Sequence, residues 1–299
     1  MNRIAVIVIG SNSTRSLCCD ECPTLSNPVR SRAGTSLLLR LKENPVLSED
    51  TIQMLSDSVS ALLEDIRREN ARLIGLYATS AVRDARNADM LSDALKKLCG
   101  EELQVLSGRE EAAYSFYGAV GDQPHAGIID IGGGSTEIAL GSGEKLEHAY
   151  SLQLGASRLF NQHPINSPYD IAGALSLASA VAAPLHALQA QAASIPFCLV
   201  GGTGTASARI IAVQKGKKDI EGLRISREEA TDLLGFIAAT PREKRESIPG
   251  YTAGRADILP TGIAVLLSVM DALGIGSIQV TRRGNTDGLL RAFVHKKFS

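Results

Sequence analysis

A chain of 299 residues with 44% hydrophobic and 21% charged side chains has an ordinary globular composition and enough length for two buried cores. Its formal net charge of −1 supplies no global attraction to nucleic acid, which excludes a nucleic-acid partner as the first expectation. An odd cysteine count fits a reducing compartment, and no stretch reads as a leader or a membrane span, so a cytoplasmic protein without a membrane partner is expected.

In chain order, a short strand leads into Ile7-Val8-Ile9 and turns at Gly10-Ser11-Asn12 into a second strand that holds Cys18 and Cys19. Those two thiols and Cys22 lack the histidine or second cysteine pair that a structural zinc site needs. Residues 23–47 carry Pro23, Pro28, Gly34 and Pro45 and read as irregular, with one strand expected near Leu37–Leu41. Ser48 caps a predicted helix bearing Ile52, Leu55, Val59, Leu62 and Ile66 at helical spacing. A strand at Leu73–Tyr77 follows, then Ala78–Asp84, then a helix capped by Asn87 and stopped before Gly100. Leu103–Leu106 is a short strand, and Ser107-Gly108-Arg109-Glu110-Glu111 opens a helix. One of the two glutamates can simply complement the helix dipole in water, which leaves the other for a cleft.

A second unit starts near residue 121, giving the expected domains 1–120 and 121–299. It opens on Gly127-Ile128-Ile129-Asp130-Ile131-Gly132-Gly133-Gly134-Ser135-Thr136-Glu137, a glycine turn between β-branched runs. Successive bare amides there can cradle phosphate oxygens, with Ser135 and Thr136 as hydroxyl donors and Asp130 as a carboxylate for a divalent cation. Residues 7–15 align on 129–137 without a gap and share five of nine positions, so two similar units each present a phosphate loop. In that alignment Val8 stands where Asp130 stands. Beyond it come an alanine-rich helical region at Tyr169–Ala193 with a break at Pro184, a buried strand at Phe197–Val200, and Gly201-Gly202-Thr203-Gly204-Thr205 opening a helix, a natural anion site. Lys215-Gly216-Lys217-Lys218 reads as a solvated basic loop, and Ser226 with Glu229 as a capping box. Helices over Arg255–Leu273 and Thr286–Lys296 flank a strand at Ile278–Thr281, and the alternation of strands and helices makes the class α/β. The five histidines show no ligand spacing.

Together Ile9–Ser13, Ala78–Asp84, Ser107–Ala112, Asp130–Glu137, Gly201–Thr205 and Gly254–Leu259 resemble, in order, the motifs of the exopolyphosphatase/guanosine-pentaphosphate phosphatase family of the actin-like ATPase superfamily. The resemblance implies duplicated actin-like (ribonuclease H-like) domains with a cleft between them, and Mg2+-dependent release of terminal phosphate from inorganic polyphosphate or guanosine pentaphosphate. It also implies Glu111 as the catalytic base, Asp130 and Glu137 as metal ligands, and Ser11, Asn12, Ser13, Arg15, Arg83, Gly132, Gly133, Gly134, Ser135, Thr136, Gly202 and Thr203 as phosphate contacts. A homodimer is the candidate assembly. Two departures stand out. Val8 replaces the aspartate of the family's first loop, and Thr286 replaces an arginine near the C-terminus. They motivate an alternative, a weakened member that binds polyphosphate or a nucleotide as a regulator, and they place Val8 opposite Asp130 across the cleft. A sugar kinase or another actin-like ATPase is a third reading, disfavoured by the Glu111 and Ala78–Asp84 segments.

Overall fold

The computed structural model describes residues 2–41, 45–121, 123, 125–142 and 145–298. Its first sheet is built from β1 (Arg3–Ile9), β2 (Ser13–Asp20) and β3 (Val29–Gly34), followed by α1 (Leu37–Leu41) and α2 (Glu49–Arg68), then β4 (Ala71–Ala78), α3 (Ser80–Arg83), α4 (Ala88–Cys99) and β5 (Leu103–Val105). After α5 (Gly108–Val120) the second sheet starts with β6 (Ala126–Ile131), β7 (Thr136–Ser142) and β8 (Lys145–Leu152). Then come α6 (Ala156–Gln162), α7 (Ile171–Ala182), α8 (Gln189–Ala192), β9 (Phe197–Val200), α9 (Gly201–Gln214), β10 (Arg224–Ser226), α10 (Arg227–Ala239), α11 (Ile258–Leu273), β11 (Ser277–Val280) and α12 (Asn285–Phe298).

The strand orders β3-β2-β1-β4-β5 and β8-β7-β6-β9-β11-β10 show a duplication. In each sheet an antiparallel meander lies beside parallel strands, because short turns (residues 10–12 and 132–135) join the first two strands and helical crossovers join the parallel ones, while β10 closes the second sheet antiparallel to β11. β6 and β7 are buried along almost their whole length, as a sheet covered on both faces requires.

Two helices cross between the halves. α5 follows the first sheet in sequence but buries Ala112, Phe116, Ala119 and Val120 with Ala126, Ile128, Ala139 and Val200 of the second. α12 does the converse, joining Leu289, Leu290 and Val294 to Ile4, Val6, Val8, Leu17 and Cys19 of the first. The division 1–120 and 121–299 therefore separates the sheets but not the packing of these helices. α5 and α12 also run against one another at a glycine crossing. A Cβ on Gly118 would stand 1.9 Å from the Gly284 carbonyl oxygen, and one on Gly288 would stand 1.9 Å from that of Tyr114.

Several local expectations change. Leu37–Leu41 is a helix, not a strand, since Leu37, Leu38 and Leu41 share one buried helical face and Val29–Gly34 takes the place beside β2. Residues 42–44 of that segment lie outside the described residues. Asn87 does not cap α4 with its side chain, which instead accepts from the Leu47 amide at 2.9 Å and donates to the Leu47 carbonyl at 3.0 Å. β10 was not expected, because three residues are too short for a visible alternation. The helical region is broken at Pro184, and 168–192 is apolar and long enough by length and composition to cross a membrane. Here it lies on α11, with Ala174, Ala178 and Ala182 buried along one face.

Val8 is fully buried and belongs to the apolar cluster with the α12 leucines, so it does not face Asp130 across the cleft. Val8→Asp should therefore cost stability, about 3 kcal/mol for burying a carboxyl group among side chains that offer it little. The expected readout is a lower melting temperature with no gain in activity. A stable and more active Val8→Asp protein would return position 8 to the site.

Candidate active site

The two hairpin turns close in the same way. The Gly10 amide donates to the Ser13 carbonyl and the Gly132 amide to the Ser135 carbonyl, both at 3.0 Å. Each loop is braced from outside: the amides of Thr35 and Ser36 bond to the Asn12 carbonyl, and those of Ser157 and Arg158 bond to the Gly133 carbonyl. The loops approach each other across the sheets. A Cβ on Gly133 would lie 3.0 Å from Ser11 Cβ, and one on Gly134 would lie 2.4 Å from Ser80 Oγ and 2.7 Å from Ser11 Oγ, so a side chain at Gly134 would have to displace those hydroxyls. Between them opens a cleft of about 270 Å³, extended by the Gly201-Gly202 start of α9.

Cross-strand rows set the charge of the walls. In the first sheet Val8, Arg15 and Arg32 stand directly opposite one another on β1, β2 and β3. In the second sheet the matching row is Asp130, Glu137 and Ser151 on β6, β7 and β8. The duplicated scaffold thus carries cations in one half and carboxylates in the other. Arg15 and Arg32 as direct neighbours repel each other, so an anion between them is favoured.

α5 brings Glu111 to the carboxylate side. Ser107 caps this helix through a reciprocal bond with Glu110, which leaves Glu110 at the surface and turns Glu111 inward, where it is 7% exposed. Burial first, then the neighbouring Asp130, pushes the Glu111 carboxyl up to about 7, against the Arg83 guanidinium, whose Nη1 lies 3.4 Å from Glu111 Oε2. One turn along the same helix, Ser115 Oγ donates to Asp130 Oδ2 at 2.5 Å. Burial raises Asp130 as well, partly offset by that bond. Glu137 is raised well above the usual range by burial, Glu111 and Asp130, and accepts from Ser151 Oγ at 2.8 Å.

Among the described residues the cleft wall carries seven arginines, Arg15, Arg30, Arg32, Arg209, Arg255, Arg282 and Arg283, against two carboxylates, Glu111 and Asp130. Arg255 sits deepest. Burial and then Arg32, Arg15 and Arg209 lower its guanidinium to about 9, and a Cβ on Gly202 would overlap it. Arg30 is oriented by a two-point ion pair with Asp287, at 2.6 and 3.0 Å.

Of the residues expected at the site, Ser11, Asn12, Ser13, Arg15, Gly132, Gly133, Gly134, Ser135, Gly202, Glu111 and Asp130 line the cleft. Thr136, Thr203, Arg83 and Glu137 are not on its wall. Thr136 is fully buried with its hydroxyl on the Leu154 carbonyl, because its place in β7 points it into the second core. Thr203 is buried beside Gly262, and Arg83 stands behind Glu111. Glu137 is 1% exposed and backs Asp130 from the next strand. Sequence reading missed Arg30, Arg32, Arg209 and the role of Arg255 as a cleft cation. The Arg-Ser-Arg alternation at 30–32 is the signal that would have placed two of them on one strand face.

The sequence profile of the Ppx/GppA phosphatase family matches residues 24–297. The chain belongs to this family. Among curated Ppx/GppA relatives, a guanosine-5'-triphosphate,3'-diphosphate pyrophosphatase from Vibrio atlanticus is 27% identical over 95% of this chain. The chain spans 58% of that relative's length. Exopolyphosphatase 2 of Mycobacterium tuberculosis is 28% identical over 97% of this chain and 98% of its own. The fold is that of the Ppx/GppA crystal structures, with two sheets of matching strand order. An exopolyphosphatase from Cytophaga hutchinsonii superposes with a TM-score of 0.89 at 22% identity, covering 99% of this chain and 98% of that one. The Aquifex aeolicus Ppx/GppA member gives 0.78 at 22% identity, covering 100% and 99%.

Proposed function

We propose that this chain is a Mg2+-dependent exopolyphosphatase that hydrolyses the terminal phosphate of inorganic polyphosphate, in preference to guanosine pentaphosphate. The observation that carries this reading is the composition of the cleft wall. Seven arginines line it, of which Arg30 and Arg282 are paired with Asp287 and Asp219, and no aromatic side chain among the described lining residues offers a platform for a base. Guanidinium groups match phosphate oxygens in charge and geometry, whereas a purine ring gains most from stacking. Both kinds of named activity among the relatives end in cleavage of phosphoanhydride bonds, which supports the reaction class.

In this reading the amides of the 10–13 and 132–135 loops and Arg15, Arg32 and Arg255 hold the terminal phosphates. Glu111 orients the attacking water and accepts its proton, and Arg83 fixes the carboxylate that does so. Positioning and charge neutralisation carry most of a phosphoryl transfer. The donor set suits a hard cation, since Asp130 and Glu111 supply only oxygen and repel each other when both are ionised. Among the described residues no three acidic, histidine or cysteine side chains converge as a ready-made cage. Asp130 would therefore hold Mg2+ together with substrate oxygens and water, with Glu137 behind it. Mg2+ bound there supplies charge stabilisation of the phosphoryl oxygens. Five unpaired cysteines support a reducing, cytoplasmic setting.

Phosphate release from long-chain polyphosphate and from guanosine pentaphosphate, measured side by side with Mg2+ titrated, tests the proposal. Polyphosphate should give the higher kcat/KM, and Arg255→Gln should raise its KM about tenfold, as the loss of one charge-assisted contact implies. A higher kcat/KM for the nucleotide would reverse the substrate assignment. Thr286 on the cleft wall favours one second reading, a binding protein without turnover. Calorimetry showing tight polyphosphate binding with no phosphate release at any Mg2+ concentration would select it.

A further inference from the structure

We infer that the basic loop at residues 215–218, beyond the C-terminal end of α9, is an exosite that holds the trailing part of a long polyphosphate chain outside the catalytic cleft. The inference rests on the polyphosphate reading and adds a second contact region, with a selectivity for chain length. Lys215 is engaged by Glu229. Lys217 and Lys218 are exposed, and among the described residues neither has an ion-pair partner. The loop is fastened to the lip of the cleft. Asp219 pairs with Arg282 at 2.8 Å, Glu221 accepts from Thr281 Oγ1 at 2.7 Å and from the Arg282 amide at 2.9 Å, and the Gly222 amide bonds to the Val280 carbonyl at 2.9 Å. Thr281, Arg282 and Arg283 themselves line the cleft. Lys218 is thus the immediate neighbour of the residue that clasps the lip.

A cleft of about 270 Å³ holds only the end of a polyphosphate chain, so the remainder must leave across its rim. Arg283, exposed and without an ion pair among the described residues, continues the cationic wall outward. Asp219 and Glu221 along this exit are exposed, but their carboxylates are bonded to Arg282 and to backbone or hydroxyl donors, whereas Lys217 and Lys218 carry no ion pair among the described residues. A polyanion that exchanges condensed counterions for such fixed cations gains affinity that falls with salt. A short substrate ends inside the cleft and gains nothing from them.

The test compares Lys217→Gln/Lys218→Gln with the unaltered chain on long-chain polyphosphate and on tripolyphosphate, at several salt concentrations. For the long chain KM should rise about fivefold at low salt, as two exposed charge contacts allow. The dependence of log KM on log salt should become shallower, while KM for tripolyphosphate stays unchanged. Lys97→Gln/Lys145→Gln, which removes the same charge elsewhere, should move neither KM. An equal change for both chain lengths, no change for the long chain, or the same effect from the control pair overturns the exosite. Should the unaltered protein hydrolyse neither substrate, the catalytic reading fails on its own. Calorimetric titration of long-chain polyphosphate into both proteins then decides the exosite, with weaker binding to the double variant expected and equal binding refuting it.

Discussion

Glu111→Gln should lower kcat/KM for polyphosphate about a thousandfold, the range a positioned general base supplies. The glutamate is buried, is set inward by the Ser107–Glu110 capping box, and is raised to about 7 by burial and Asp130. It acts as a base only when ionised, so kcat/KM of the native enzyme should climb with pH through about 7 and level off above. Arg83 opposes the rise, and Arg83→Gln should move this acid limb to higher pH, whereas Arg83→Lys, which keeps the charge, should move it less. The same shift fixes the sign of a stability effect. The folded value lies above the usual 4.5, so the native state holds the proton more tightly, and the stability Glu111 gives at low pH declines as pH rises from about 4.5 through 7. Glutamine escapes that decline, and above neutral pH the inactive variant should melt no lower than the active protein. Near-normal turnover in Glu111→Gln, or an acid limb indifferent to Arg83→Gln, would remove Glu111 from the mechanism.

Gly288→Ala and Gly118→Ala should each lower the melting temperature by about 5–10 °C, from an overpacking cost of about 3 kcal/mol. Alanine normally favours a helix interior over glycine, so propensity alone predicts the opposite sign. Here the methyl group meets backbone rather than a movable side chain: the Gly284 carbonyl in one case and the Tyr114 carbonyl in the other. α5 and α12 would have to separate, and both are pinned, α5 to the second sheet and α12 to the first. The consequence reaches the site, because Glu111 and Ser115 ride on α5 while Asn285 and Thr286 at the start of α12 line the cleft. Thermal melting of the two single variants decides it. Unchanged melting would show that the helices part without cost.

The duplicated hairpins were legible because each repeats a local pattern, β-branched strands around a glycine turn, and their registers coincide in the fold. The split between Glu110 and Glu111 was legible for a similar reason, since a cap at Ser107 fixes which face each glutamate takes. Thr136 was read as a hydroxyl donor beside Ser135 and Glu137 as a metal ligand; they point to opposite faces of β7, yet both faces of that strand are covered and both side chains are taken inside. Val8 misled in the reverse direction. The alignment found its true counterpart, but α12, remote in sequence, covers that place with leucines. Arg209 and Arg255 reach the cleft from α9 and from the turn before α11, and Arg32 from the outer strand β3. No local spacing joins three such segments, and only the assembled sheets bring them to one wall.

The exchange of helices bears on how the chain is made. The apolar face formed by Ile4, Val6, Val8, Leu17 and Cys19 is synthesised long before Leu289, Leu290 and Val294, which cover it. During translation Leu25, Ile74, Tyr77 and Tyr114 can cover part of that face, but the leucines of α12 reach it only after almost the whole described chain has left the ribosome. Contacts of such sequence separation form late and slowly, and an uncovered sheet face is open to association with other nascent chains meanwhile. The apolar packing of the first sheet is therefore complete only once the far end of the molecule has joined it.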